Sequence, residues 1–91
     1  MTKPFDMELF LAGMLNGFHA TRQRHLRQAN IIQTAIAERW CRKTPWAWQK
    51  KHVTWFLSHY LDKRSDATQY YYLLTVQLLT LRLERSWVFN H

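Results

Sequence analysis

Two glycines and two prolines are all that interrupt this chain of 91 residues. Between them run long stretches whose apolar residues recur at helical spacing. Strand-and-turn folds need far denser punctuation, so the pattern points to an all-α fold. A chain of this length builds one core, and it buries little more than about 60% of its unfolded surface, so each large apolar side chain matters to its stability. The material is ample: 47% of the residues are hydrophobic, 15% are aromatic and five are Trp, which argues against disorder. The expectation is a single domain over residues 1–91, folded as a compact bundle of four helices.

The first helix is expected over residues 5–16, where Phe10, Leu11, Met14 and Leu15 share a face and Gly17 supplies a stop. The second is expected over residues 21–40, capped by Thr21, with Leu26, Ala29, Ile32, Ile36 and Trp40 as its buried stripe. Thr44 followed by Pro45 marks the start of the third, whose stripe is Val53, Phe56, Leu57, Tyr60 and Leu61. The fourth opens at Ser65 or Asp66, with Asp66 and Gln69 spaced as a capping box. Tyr72, Leu73, Val76, Leu79, Leu83 and Trp87 form one face of it, while Tyr70, Leu74, Leu78 and Leu81 run down another. A helix apolar on two sides is either central to its bundle or meets a partner.

The net charge of +7 makes a polyanion the first partner to consider. The charge is unevenly placed. Residues 21–45 hold six bases and one acid, and residues 46–64 four bases and one acid, whereas residues 65–91 hold two of each. Arg22, Arg24 and Arg27 crowd the start of the second helix, where the helix dipole is already positive and each cation costs a few tenths to about 1 kcal/mol unless an anion is near. A phosphate would turn that penalty into a binding site. The competing account is a solvated basic face. On the helical pattern Arg24 and Arg27 are expected on the exposed side, away from Leu26, Ile32 and Ile36.

Catalytic and metal-binding patterns are missing. None of the five histidines is paired at i,i+4 spacing, Cys41 has no CxxC partner, and the six carboxylates are scattered. No glycine-rich phosphate loop or nucleophile elbow occurs. No enzyme activity, cofactor, metal or small-molecule substrate is therefore expected. The single cysteine fits a reducing compartment. The apolar stretch 9–15 follows Asp6 and Glu8, unlike a signal peptide, and no run is long enough to span a membrane. The expected location is cytoplasmic, with no membrane partner. The run Tyr70-Tyr71-Tyr72 suggests base stacking, but successive helical positions fan out over about 200°, so at most two rings share a platform and Tyr72 is expected in the core. Trp46 and Trp48 are read as packing residues.

One longer pattern has a family likeness. Thr21 opens a basic helix, a later helix carries the segment HVTWFLSHYL from His52 to Leu61, a short turn Asp62-Lys63-Arg64-Ser65 follows, and Asp66-Ala67-Thr68 opens a Leu-rich helix. This order resembles the SAM-like core-binding domain of phage integrases and other tyrosine recombinases, over about residues 20–88. The resemblance implies a DNA-binding module for DNA recombination and integration in a mobile element, gripping one side of the duplex mainly through phosphates. It implies that Thr21, Arg22, Arg24 and Arg27, together with Lys63, Arg64, Ser65 and Thr68, face DNA. Charge alone adds Lys50 and Lys51. The family's catalytic domain, with its arginines, histidines and nucleophilic tyrosine, has no counterpart in these residues, and Tyr70–Tyr72 do not map onto that nucleophile. The chain is thus expected to be either an excised domain or a stand-alone regulator. The rival expectation is a protein-interaction module that dimerises or docks through Leu74, Leu78 and Leu81. A third candidate is a binder of RNA or single strands through exposed aromatics.

Overall fold

The computed structural model describes residues 5–15 and 17–89. Among them there is no strand, and four α-helices form an all-α bundle. Helix α1 is a single turn, Met7–Phe10. Asp6 caps it, accepting from the Leu9 N–H at 3.1 Å, which places a carboxylate at the positive end of the helix. The first helix does not fill residues 5–16. After Phe10 the chain turns, and Gly13 adopts φ +86°, a left-handed conformation that ends the helix before Gly17 is reached. Asn16 lies outside the described residues. Met7, Phe10 and Leu11 are nonetheless buried.

Helix α2, His19–Trp40, begins two residues ahead of Thr21. Gly17 at φ +90° redirects the chain, Phe18 is extended, and the Phe18 carbonyl accepts the Arg22 N–H at 3.1 Å. Thr21 is therefore a residue of the first turn and not a cap, and no side chain caps this end. Leu26, Ala29, Ile32 and Ile36 are buried as their spacing predicts, while Trp40 is half-buried. Cys41 ends α2 in the left-handed conformation, its N–H donating to the Ala37 carbonyl at 2.8 Å.

Pro45 opens a 3-10 turn, Pro45–Ala47, and not the third helix itself. Trp48 then returns to extended backbone, so α3 starts afresh at Lys50 and runs Lys50–Trp55. Its start is tied by the Gln49 N–H donating to His52 Nδ1 at 2.9 Å, a local bond that Thr44 does not supply. The helix widens into a π-helical stretch, Phe56–Tyr60, which stacks Tyr60 on Phe56 with ring centroids 4.7 Å apart. Such widened turns often sit at functional positions.

Helix α4 is Asp66–Arg82, capped by Ser65, whose Oγ accepts from the Thr68 N–H at 3.2 Å. The Asp66–Gln69 box does not form. The Gln69 side chain turns back instead, its Nε2 donating to the carbonyls of Leu61 at 3.1 Å and Arg64 at 3.0 Å. Tyr72, Val76, Leu79 and Leu83 are buried, and Leu73 and Trp87 pack half-buried at the core edge.

Helices α2 and α4 form the central pair, with α1 and α3 packed on α2. A buried polar bridge fixes their register: the Thr75 hydroxyl donates to Gln28 Oε1 at 2.8 Å, and His25 Nδ1 lies 2.8 Å from Thr75 Oγ1. Since Thr75 has one proton to give, His25 must donate through Nδ1 when that proton goes to Gln28. Burial, with Arg24 adding to it, holds the His25 pKa below the ordinary histidine value, which keeps the ring neutral for this role. At the far end Arg82 Nε donates to the Phe10 carbonyl at 2.7 Å, its guanidinium about 5.0 Å above both the Phe10 and Trp46 rings.

Candidate nucleic-acid interface

Two elements, α2 and the turn before α4, bring cations together around a group of tyrosines. From α2, the Arg24 guanidinium lies 4.0 Å above the Tyr71 ring of α4. From the turn before α4, Arg64 lies 5.3 Å above Tyr60, which closes the π-helical stretch. Between them stands buried Tyr72, its centroid 5.6 Å from Phe56 and 6.5 Å from Tyr60. Burial pushes the Tyr72 phenol up and Tyr60 adds to this, while Arg64 and Arg27 pull the other way. Both arginines are thus within electrostatic reach of one hydroxyl. Arg27 and Tyr60 also share an open groove of about 500 Å³ across the outer face of α2, and Tyr60 leads on to Lys63 and Arg64.

The structure corrects the expected setting of Arg24. It is half-buried, and its Nε is shielded from solvent without a hydrogen-bond partner. Tyr71 reaches across from α4 and covers it, a contact that the helical pattern of α2 alone does not reveal. The brace fixes the planar group and leaves its terminal nitrogens to meet an anion, less ordering entropy then being lost on binding. Arg27 is exposed, as expected.

The remaining predicted contacts divide. Lys63 and Arg64 are exposed beside the start of α4. The Ser65 Oγ donates to Thr68 Oγ1 at 3.0 Å, so its only proton is committed to the cap, whereas the Thr68 proton is not used there. Thr21 is half-buried in the first turn of α2. Arg22 lines a different groove, with Glu8, Gly13 and His19. Lys50 and Lys51 are exposed at the opposite end of α2, where Lys51 and Arg42 together help lower the pKa of His52, after burial as the main cause. They do not join the tyrosine-braced group: Arg24 and Trp40 are separated by about 24 Å of helix at 1.5 Å per residue.

That opposite end forms a second basic group. Arg39 lies 5.1 Å above Trp40, whose ring sits 4.6 Å from His52 and 5.0 Å from Trp55. Arg42 and Lys51 act on His52 of this cluster, Lys43 and Lys50 adjoin them in sequence, and no acid occurs between Arg39 and Leu61. Arg39, Arg42 and Lys43 were not singled out from the sequence, although the charge sum over residues 21–45 already contained them. The first group is less purely positive. Glu38 lines the groove with Arg27, Asp62 sits beside Lys63, and on the α1 side Asp6 and Glu8 share a groove with Arg27. On the flank toward Tyr60, Tyr71 and the α4 start, Glu38, Asp62 and Asp66 stand beside the cations, so any attraction for a polyanion there rests on the braced arginines and not on an acid-free surface.

The exposed aromatics behave as the fan of the tyrosine run requires. Tyr70 and Tyr71 stand side by side, 5.7 Å apart and edge to face, while Tyr72 points inward. Trp48 is buried and Trp46 half-covers the Arg82–Phe10 contact. Among the described residues no three His, Cys, Asp or Glu side chains converge as metal ligands, and no helix is long and apolar enough to cross a membrane. No family model, curated protein or solved structure matches the chain.

Proposed function

We propose that this chain is a duplex-DNA-binding module that contacts phosphates through Arg24, Arg27, Lys63, Arg64 and Thr68, acts without a catalytic centre of its own, and works in the cytoplasm in recombination or its regulation. The observation that carries this reading is the convergence of four cations from α2 and the α4 turn, two of them braced on tyrosine rings, in a chain of net charge +7. Guanidinium groups offer forked donors to phosphate oxygens, and bracing them beforehand favours a charged, repetitive backbone over any particular base. The start of α4 adds unpaired backbone N–H groups beside Arg64. The resemblance to recombinase core-binding domains, with its SAM-like arrangement of helices, gives the same site its biological setting.

Binding to a random duplex, a single strand and a structured RNA across a salt series tests this. Four phosphate contacts predict a log–log slope of affinity against salt of about −3.5 on duplex DNA. A flat salt response, or tighter binding to the single strand or the RNA, would overturn the reading.

A further inference from the structure

We propose that the outer face of α4 is a self-association surface on which two copies of this chain pair antiparallel. This inference does not depend on DNA binding. From Ala67 to Leu81, fifteen successive residues carry no charge, although the chain as a whole carries +7. Directly opposite the buried line of Tyr72, Val76, Leu79 and Leu83 runs a second line, Tyr70, Leu74, Leu78 and Leu81. Tyr70 is 58% exposed and Leu81 64% exposed, and Leu74 and Leu78 between them are half-buried. A surface that keeps leucines in water while α2 and α3 carry cations is poorly explained by solvation alone.

Charge selects the occupant. Two copies at +7 repel each other through the faces of α2 and α3, which carry Arg27, Lys50 and Lys51, so like copies meet with least repulsion along the uncharged line, where Arg24 lies packed on the Tyr71 ring. The order of side chains along the line is self-complementary, as a two-fold contact demands. With Leu74 of one copy opposite Leu78 of the other, the antiparallel register sets each Leu81 against the Tyr70–Tyr71 pair of its mate. The same register brings Asp66, at the start of one α4, to the end of the other, where Arg85 is exposed. Opposite charges and opposite helix dipoles therefore face each other at both ends of the contact.

Sedimentation velocity over a concentration series of the full chain tests the surface. The expected result is a species of twice 11.1 kDa growing with concentration. Leu81→Glu should raise the dissociation constant at least tenfold and leave the helical circular dichroism, and thermal unfolding at concentrations where the parent is monomeric, unchanged, because Leu81 is exposed. Leu9→Glu, at a still more exposed leucine on α1, should leave association intact. In a Cys41→Ser background, a mixture of Leu74→Cys and Leu78→Cys chains should cross-link faster than either alone. A chain that stays monomeric up to about 1 mM, a dimer indifferent to Leu81→Glu or equally weakened by Leu9→Glu, or homogeneous cross-linking that outpaces mixed cross-linking would each overturn the proposal.

Discussion

The two long helices, α2 and α4, bury comparable stripes against each other and differ almost completely in what they show to water. Helix α2 turns Arg27 and Glu38 outward and has Arg24 at its edge, whereas α4 carries charge only at its ends, at Asp66 and Arg82. Burial on one side is common to both, so it accounts for the bundle but not for this difference. The bundle therefore has two unlike outer surfaces. One carries cations, with arginines braced by aromatic rings, and is the proposed surface for a polyanion. The other has no electrostatic preference and fits an apolar contact.

The largest expected effect sets the two sides of α4 against each other. Leu79→Ala removes a fully buried side chain and should destabilise the fold by about 3 kcal/mol, while Leu81→Ala, two positions on, should stay within about 0.5 kcal/mol. Chemical denaturation of both variants measures this, and similar losses would erase the distinction between a core face and an outer face.

Next comes the charged side. The double change Lys63→Ala, Arg64→Ala should lower the salt slope of duplex binding by about two, and Arg24→Ala by about one, uniformly across DNA sequences. Stability should fall modestly for Arg24→Ala, by about 0.5–1 kcal/mol, because the half-buried guanidinium packs on the Tyr71 ring. Loss confined to particular sequences would mean that these groups read base edges instead.

Ser65 sharpens the comparison at the point where folding and binding share a residue. Ser65→Ala should cost about 1 kcal/mol of stability through the lost cap. Ser65→Asp should keep the cap yet weaken DNA binding, because it sets a carboxylate beside Arg64 and the proposed phosphate. If Ser65→Asp binds as tightly as the parent chain, the α4 start does not face DNA.

The smallest effect concerns the buried histidines. His25 and His52 are both held below the ordinary value of 6.5, His25 by burial and then Arg24, His52 by burial and then Arg42 and Lys51. The unfolded chain therefore takes up protons that the folded chain resists. Stability should be full above about 6.5, fall as pH drops below it, and level off once pH passes below the lowered folded values. Denaturation between pH 7.5 and 5, both about one unit or more from that value, measures the slope, and a stability independent of pH there would show the rings to be more accessible than the packing implies.

Much of the core was legible in the sequence because helical periodicity is a property of each segment by itself. Leu26, Ala29, Ile32 and Ile36 in α2, Val53, Phe56, Leu57 and Leu61 beyond it, and Tyr72, Val76, Leu79 and Leu83 in α4 are buried where their spacing put them. Helix starts were less legible, because they depend on which nearby group reaches an orphan N–H first. His52 ties the start of α3 in place of Thr44, and Gly13 breaks α1 ahead of Gly17. The candidate interface was legible only in part. Charge marked Arg24 and Arg64, but no spacing within α2 predicts Tyr71, and no spacing within the turn predicts the π-helical stretch that swings Tyr60 under Arg64. The grouping of Arg39, Arg42 and Lys43 with Lys50 and Lys51 likewise arises only once α2 and α3 are packed.

The contact between Arg82 and the Phe10 carbonyl gives α1 a particular kind of permanence. A single helical turn does not persist alone in water, since nucleation is too unfavourable to be offset by so few bonds. The lifetime of α1 is therefore the lifetime of the clasp formed by Arg82, Phe10 and Trp46, together with the burial of Met7 and Leu11. Opening that clasp is a local event that leaves the α2–α4 pair intact, and its free energy lies below that of global unfolding. Backbone amides around Phe10 and Leu11 should exchange with solvent through this smaller opening, well before those at the centre of α2. The chain thus has two thresholds: a low one at which its first turn comes away, and a higher one at which the bundle itself is lost.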